Sequence, residues 1–405
     1  MRSVEQRWES VFQRSYGSPK LNIVKGKGAY LIDENGKRYL DFIGGIATNV
    51  LGHSHPTFVK AIKDQSSKVA HVSNLYANPT SLKLAEKLVE LTGVPSARVF
   101  FCNSGAEANE AAIKLVRKYA HTVMDFLEQP IILTATDSFH GRTLATITAT
   151  GQPKYQKDFH PLVSGFAYVP YNEIEAIEDA IADLDEGNSR VAAIMLEPLQ
   201  GEGGVRPGEL QYFQQLRKIC DENNILLVFD EVQVGVGRTG KLWGYENLGV
   251  EPDIFTSAKG LAGGIPIGAM MCKDFCNVFT PGTHASTFGG NPFACAAALA
   301  VLQEIERGEL LENTQARGQQ LRSSLQAIAE KYPNFLAEVR GWGLINGMQL
   351  RPESSLTSAQ VVKAALDQGL LIAPAGPKVL RFVPPLIVSA AEVERATELL
   401  DKAIA

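Results

Sequence analysis

Between about residue 80 and residue 290, short apolar runs alternate with stretches of helical periodicity, and this alternation constrains the fold more than any other feature. The runs are Val99-Phe-Phe-Cys102, Ile131-Ile-Leu-Thr134, Ala192-Ala-Ile-Met-Leu196 and Ile225-Leu-Leu-Val-Phe229; the helical stretches cover 81–91, 106–119, 173–184 and 209–223. A strand covered on both faces reads as continuous apolar sequence rather than as an alternation. The pattern therefore predicts an α/β fold with a mostly parallel central sheet and helices on both faces. No internal repeat or low-complexity tract interrupts it. At 405 residues with 45% hydrophobic side chains, the chain exceeds the usual size of one core. Residues 21–43 alternate in β fashion around Asp33-Glu-Asn-Gly36, and the tail from about 293 mixes long helices with short strands such as Arg381-Phe-Val383. Neither flank is large enough for a core of its own. The expectation is a large domain over 61–289 and a smaller α+β domain formed jointly by 1–60 and 290–405, with a site at their junction.

Charge and cysteine usage narrow the class of function. With 39 basic against 44 acidic side chains and no basic stripe, neither nucleic acid nor an anionic membrane is an expected partner. No secretory leader pattern is present, and no apolar run approaches the roughly 20 residues of a membrane span, so a soluble, cytoplasmic protein is expected. The five cysteines, at 102, 220, 272, 276 and 295, are an odd number scattered through a long chain, which favours reduced thiols. Cys272 and Cys276 lack companion ligands, and His53 and His55 in Gly52-His-Ser-His-Pro56 lack a third; both pairs read as structural and no metal is expected.

The polar residues of interest follow the apolar runs. Asp230 caps the run ending at Phe229, and Lys259 lies between Asp253-Ile-Phe-Thr-Ser-Ala258 and Gly260-Leu-Ala-Gly-Gly-Ile-Pro-Ile-Gly268. Open α/β sheets bind ligands at strand carboxyl ends. A lysine and an aspartate at neighbouring ends are what pyridoxal phosphate chemistry requires: the amine forms a Schiff base with the aldehyde, and the carboxylate keeps the pyridine nitrogen protonated. In Asn103-Ser-Gly-Ala-Glu107, small residues open a helix, so Gly105 and Ala106 can cradle an anion, although an ordinary strand-to-helix turn has the same spacing. The prolines of Arg381-Phe-Val-Pro-Pro-Leu386 end a strand. Asn291 and Pro292 suit the cap and first position of a helix. A rival reading comes from Gly235-Val-Gly-Arg-Thr-Gly240-Lys241, which matches the first seven positions of a nucleotide-binding P-loop. Leu242 in the eighth position cannot ligate magnesium, and the glycine-broken sequence after it does not suit the required helix.

Asp230-Glu-Val-Gln233, Gly237-Arg-Thr-Gly240 and Ser257-Ala-Lys259-Gly260 together resemble the signature of the class III, or ornithine-type, aminotransferases of the fold-type-I pyridoxal phosphate enzymes, and the likeness runs from about Tyr16 to the carboxyl terminus. The resemblance implies pyridoxal 5'-phosphate as cofactor, with Lys259 its covalent anchor and general base and Asp230 on the pyridine nitrogen. It places Phe139 and Val232 on opposite ring faces, Gln233 on the phenolic oxygen, and Gly105 and Ala106 on the phosphate. Thr287 would bind the phosphate of the neighbouring subunit's cofactor, which implies a homodimer with shared active sites. For the substrate it implies Arg142 on a carboxylate, Ser286 close by, and Glu197 shielding Arg381 until a dicarboxylate needs it. His140 is left as a residue that shapes the pocket. A catalytically silent protein of the same fold is disfavoured because Lys259, Asp230, Gln233 and Arg142 are all present. Phe42-Ile-Gly-Gly-Ile-Ala-Thr-Asn-Val-Leu-Gly52, with Ser73-Asn-Leu-Tyr76, resembles the acetylornithine-specific members. Gly44 and Gly45 remove bulk there, and Ile46 offers an apolar wall that suits an uncharged, acylated nitrogen. The expected reaction is therefore transamination between N2-acetylornithine and 2-oxoglutarate, giving N-acetylglutamate 5-semialdehyde and glutamate in arginine biosynthesis. Succinylornithine, succinyldiaminopimelate, ornithine and 4-aminobutyrate are the alternative donors.

Overall fold

Each apolar run becomes a strand of one sheet. The computed structural model describes residues 3–94, 96–126, 129–186 and 190–405. Leu226–Asp230, buried throughout, runs parallel to Arg190–Leu196 on one side and Ile254–Ser257 on the other. Across the sheet the order is Arg98–Cys102, Gly268–Cys272, Ile254–Ser257, Leu226–Asp230, Arg190–Leu196, Pro130–Ala135 and Phe166–Val169. Gly268–Cys272 is antiparallel to both of its neighbours, and the other pairings are parallel. The expected α/β class and mostly parallel sheet are what the chain adopts.

Two strands escape the sequence pattern. Phe166–Val169 is a partly exposed edge strand and lacks the continuous apolar run of the others. Gly268–Cys272 begins on a glycine, which ordinarily punctuates a chain, yet here the glycine is what admits the strand. A Cβ on Gly268 would lie 2.2 Å from the carbonyl oxygen of Ser104.

The helices fall where periodicity places them, at Pro79–Thr92, Gly105–Thr122, Ile174–Glu186 and Leu210–Asn223. Their starts are fixed locally: the Asn78 side chain accepts from the Thr80 and Ser81 N–H groups, and the Ser104 side chain accepts from that of Glu107. Gly105–Thr122 buries Ala108, Ala112, Ile113 and Val116, so its amino end is held firmly over the sheet. Asn291 and Pro292 take the cap and first-turn positions of Pro292–Arg307.

Both chain ends contribute to a further sheet. Ile23–Lys27, Tyr30–Asp33 and Arg38–Asp41 form an antiparallel meander, and Leu370–Leu371 adds in parallel to Arg38–Asp41. The tail supplies another sheet of Leu336–Trp342, Ile345–Leu350, Val379–Phe382 and Ala373–Pro374. Leu199–Gln200 and Arg206–Pro207 form a short hairpin whose tip is 201–205. Among the described residues no helix is long and apolar enough to cross a membrane, and no group of three or more histidine, cysteine or acidic side chains is arranged to hold a metal ion. His53 instead bonds Asp41, with Nε2 2.8 Å from Oδ2.

Candidate active site

Asp230 ends its strand, and Lys259 follows Ile254–Ser257 after one residue, so both arrive at the carboxyl edge of the central sheet. There they line a cavity of 410 Å³. Gly105, Ala106, Phe139 and Arg142 line it too, as do Glu197, Val232 and Gln233. Residues spread over more than 150 positions thus meet because their strands are adjacent in the sheet.

Asp230 is 4% exposed and fully engaged. Its Oδ1 accepts the N–H of Val232 at 3.0 Å; its Oδ2 accepts from Asn109 Nδ2 and from His140 Nδ1, each at 2.8 Å. Asn109 also donates to the carbonyl of His140 at 2.7 Å and accepts from Thr256 Oγ1 at 2.7 Å. Burial opposes a charge on His140, but the hydrogen bond and charge of Asp230 outweigh it and raise the imidazole pKa. His140 is therefore more than a wall of the pocket, since its Nδ1 holds the aspartate. Asn109 was missed in the sequence. Its signal was a polar side chain on the buried face of an amphipathic helix.

Lys259 sits at φ 41°, in the left-handed region, where a non-glycine residue is strained. Burial lowers its ammonium pKa, with Arg381 assisting and Glu202, Asp230 and Glu197 opposing. A lysine that is easier to deprotonate is a better nucleophile.

At the opposite end, Gly105 and Ala106 are the first two residues of Gly105–Thr122, where backbone N–H groups have no intrahelical acceptor. Gly105 must be glycine, because a Cβ would lie 2.6 Å from Val232 Cγ1. The result is a small-residue, N–H-lined pocket at a positive helix end. Phe139 closes one wall, its ring meeting Tyr155 edge-on at 5.6 Å with an interplanar angle of 78°. The Arg142 guanidinium lies 4.3 Å from the Tyr155 ring centroid and 5.4 Å from that of Phe139. It is exposed, and among the described residues no carboxylate pairs with it. A buried carboxylate, an amine, an aromatic wall and a helix-end anion pocket around one cavity fit a planar pyridinium that bears a phosphate and an aldehyde.

One expected pairing is corrected. Arg381 does not meet Glu197; its Nη1 lies 2.5 Å from Glu202 Oε1 and 3.0 Å from Gln233 Oε1. Glu197 is committed elsewhere, its Oε1 accepting the N–H of Phe139 at 2.9 Å and its Oε2 that of Gly201 at 3.1 Å. The physical reason is reach. Glu197 directly follows its strand and bonds adjacent backbone, whereas Glu202 rides the hairpin tip toward the tail sheet. The overlooked signal was a carboxylate between glycines in Gly201-Glu-Gly-Gly204.

Burial pushes the Glu197 carboxyl up to about 7, Asp230 adding to the shift and His140 and the two N–H groups opposing it. The stability a raised carboxyl pKa contributes is present below 4.5, the ordinary value, and is lost as pH rises through about 7. Glu197→Gln is therefore expected to gain on the natural protein between pH 5 and pH 8, by at most about 3 kcal/mol. Calorimetric unfolding of both proteins at the two pH values measures this, and a difference independent of pH would contradict it.

Several expected residues lie outside the cavity lining, among them Arg381, which reaches it through Gln233. Ser286 Oγ accepts from Asn103 Nδ2 at 3.2 Å and from the Gly289 N–H at 3.0 Å, so its hydroxyl shapes its own loop. Thr287 is exposed. Ile46 is 45% exposed, on a left-handed turn with φ 54°, 64°, 61° and 63° at Gly44, Gly45, Ile46 and Ala47. The wall expected of it is supplied instead by Thr48 and the stretch 264–267.

The Aminotransferase class-III profile matches residues 11–404. An acetylornithine aminotransferase of Synechocystis sp. is 69% identical over 398 residues, covering 98% of this chain and 92% of that protein. Among solved structures, the N-acetylornithine aminotransferase of Stenotrophomonas maltophilia is 36% identical with a TM-score of 0.83, covering 98% of this chain and 97% of that one. An ornithine aminotransferase of Toxoplasma gondii, with partial occupancy of PLP at its active site, is 32% identical with a TM-score of 0.92, covering 98% and 92%.

Proposed function

This chain belongs to the class III aminotransferases, and from that premise we propose that it transfers the distal amino group of N2-acetylornithine to 2-oxoglutarate. The products are N-acetylglutamate 5-semialdehyde and glutamate, a step of arginine biosynthesis. The cofactor is pyridoxal 5'-phosphate. The single observation that carries the reading is the Glu202–Arg381 pair beside Gln233 at the cavity's edge. An arginine masked by a carboxylate suits a site that must admit a donor with one carboxylate and an acceptor with two. Support for the acetylated donor comes from the likeness to acetylornithine aminotransferases over nearly the whole chain.

When bound, pyridoxal phosphate condenses with amines and draws electrons from the carbon that bears the nitrogen. Gly105 and Ala106 would hold the phosphate by backbone N–H groups, and Phe139 and Val232 would restrain the ring. Asp230, fixed by His140 and Asn109, would hold the proton on the ring nitrogen. Gln233, whose Oε1 is taken by Arg381, is left with its amide N–H to donate to the phenolic oxygen. Arg142 binds the carboxylate of the donor. Lys259 Nζ, which would anchor the cofactor, would also take the proton from the substrate carbon bearing the amine and deliver it to the cofactor carbon that carried the aldehyde. Glu202 leaves Arg381 when the second carboxylate of 2-oxoglutarate or glutamate arrives.

The active unit in this reading is a homodimer in which Thr287 serves the partner's phosphate pocket. The exposed Leu75, Tyr76, Leu82 and Phe288, 57–85% accessible, are apolar surface that a second copy would cover. Its place is the cytoplasm, which suits five free cysteines. The two chain ends together make the smaller domain.

The test is kcat/KM on N2-acetylornithine, ornithine and 4-aminobutyrate with 2-oxoglutarate in common. N2-acetylornithine is expected to lead by about tenfold or more, because a buried apolar site discriminates strongly against an unpaired charge. If either unacylated amine leads, the donor is wrong while the transaminase reading stands.

A further inference from the structure

Arg340, Gly347 and Arg381 occupy one cross-strand row. Arg340 pairs with Gly347 between Leu336–Trp342 and Ile345–Leu350, and Gly347 pairs with Arg381 on Val379–Phe382. Residues directly opposite across paired strands project to the same face, so two guanidiniums flank a bare glycine. The hairpin tip 201–205 lies over that face. A Cβ on Gly347 would sit 2.7 Å from Val205 Cβ, so Val205 fills the gap the glycine leaves.

The two arginines grip the tip at different points. Arg381 takes the carboxylate of Glu202. Arg340 takes backbone: Nε reaches the carbonyls of Gly204 and Val205, each at 3.1 Å, and Nη2 reaches that of Gly204 at 2.6 Å. Glu338 and Gln349 orient the Arg340 guanidinium, at 2.9 Å and 3.1 Å. The conformation so held is not one a relaxed chain would choose. Val205 is β-branched, fully buried and at φ 54°, and Gly204 is at φ 106°.

We propose that Arg340 is a positioning residue for substrate discrimination: by fixing the base of the 201–205 tip, it keeps Glu202 in register with Arg381 and so sets how readily Arg381 is released to a second substrate carboxylate. The inference rests on the reading that Glu202 masks Arg381. A tethered carboxylate competes with a free ligand through its effective concentration, which falls when the tether loosens. Loss of Arg340 therefore favours the state in which Arg381 is free, and a dicarboxylate binds more tightly because less of the protein is in the masked form. The catalytic lysine and the residues around the cofactor pocket are untouched, since Arg340 is not in the cavity lining.

The experiment uses holoenzyme and two inert probes, glutarate with two carboxylates and valerate with one, titrated calorimetrically. Arg340→Met is expected to bind glutarate about three- to tenfold more tightly, the part of a lost charged hydrogen-bond pair that reaches Glu202. Its affinity for valerate should stay within about twofold, which corresponds to less than 0.5 kcal/mol and leaves the donor site intact. The glutamate half-reaction should gain on the N2-acetylornithine half-reaction by a similar factor. Arg340→Lys keeps the charge without the fork and should fall between. Gly347→Ala pushes Val205 from the sheet side and should move glutarate in the same direction as Arg340→Met; these two variants carry the test if Arg340→Met does not fold. Unchanged glutarate affinity, or parallel shifts for both probes, would overturn the role of Arg340. Glu202→Gln separates the premise: if it also leaves glutarate affinity unchanged, the masking of Arg381 falls, whereas tighter glutarate in Glu202→Gln alone condemns only the inference.

Discussion

Lys259→Ala is expected to lower turnover by about 10⁴-fold or more, the upper end of what a positioned acid–base group contributes, because the same amine also anchors the cofactor. No other lysine lines the cavity among the described residues, so nothing nearby can take over either task. The visible absorption that the cofactor gains on bonding to Lys259 should vanish as well. The fold should survive: the flanking strand Ile254–Ser257 is buried and bonded on both sides, and it does not depend on the lysine side chain. Spectrum, single-turnover rate and far-UV circular dichroism of the purified variant decide the matter. A variant that keeps both the absorption and normal turnover would sink the assignment of the whole site.

Asp230→Ala should separate the two tasks that Lys259 unites. Cofactor attachment is retained, because the lysine is intact, while the rate falls by about 10²–10³-fold as the ring nitrogen loses its counter-charge. The structure adds a stability effect. His140 Nδ1 would lose its buried acceptor and Asn109 Nδ2 one of its two, at a cost of about 1–3 kcal/mol each. Asp230→Asn tests the geometry more gently. An amide oxygen in the Oδ2 position keeps both donors, but the amide nitrogen then faces the Val232 N–H, where an acceptor is required. Its melting temperature should lie between those of the natural protein and Asp230→Ala, with a rate closer to the alanine variant. Natural single-turnover rates in Asp230→Ala would show that the carboxylate does not serve the ring nitrogen.

The residues legible in the sequence are those whose position follows from local rules. Asp230 ends an apolar run, Gly105 and Ala106 start a capped helix, and Lys259 follows a buried strand; each is fixed by its own neighbours and by the rule that such sheets bind ligands at their carboxyl edge. Resemblance then supplied the chemistry. The residues that were missed or misplaced depend on elements distant in the chain. Whether Glu197 or Glu202 meets Arg381 depends on how the 199–207 hairpin lies against the tail sheet, 179 residues away, and nothing local reports that. Asn109 gives a faint signal as a polar side chain on an apolar helix face, but its partners come from Asp230, His140 and Thr256 on other elements.

Gly268–Cys272 and Arg340 make the same division visible. Glycine at the head of a strand reads as a break, because an isolated chain loses entropy and packing there; only the approach of the Ser104 carbonyl shows why no side chain fits. Arg340 reads as one surface cation among 39 basic residues, until strand register aligns it with Arg381 over a single hairpin tip. The sequence by itself determined the α/β class, the strand ends that carry lysine and aspartate, and the family, since periodicity, capping and short motifs act over a few residues. The tertiary structure alone decided which carboxylate masks Arg381, what holds Asp230, and what holds the mask, because hydrogen bonds form between whatever groups packing brings within about 3 Å.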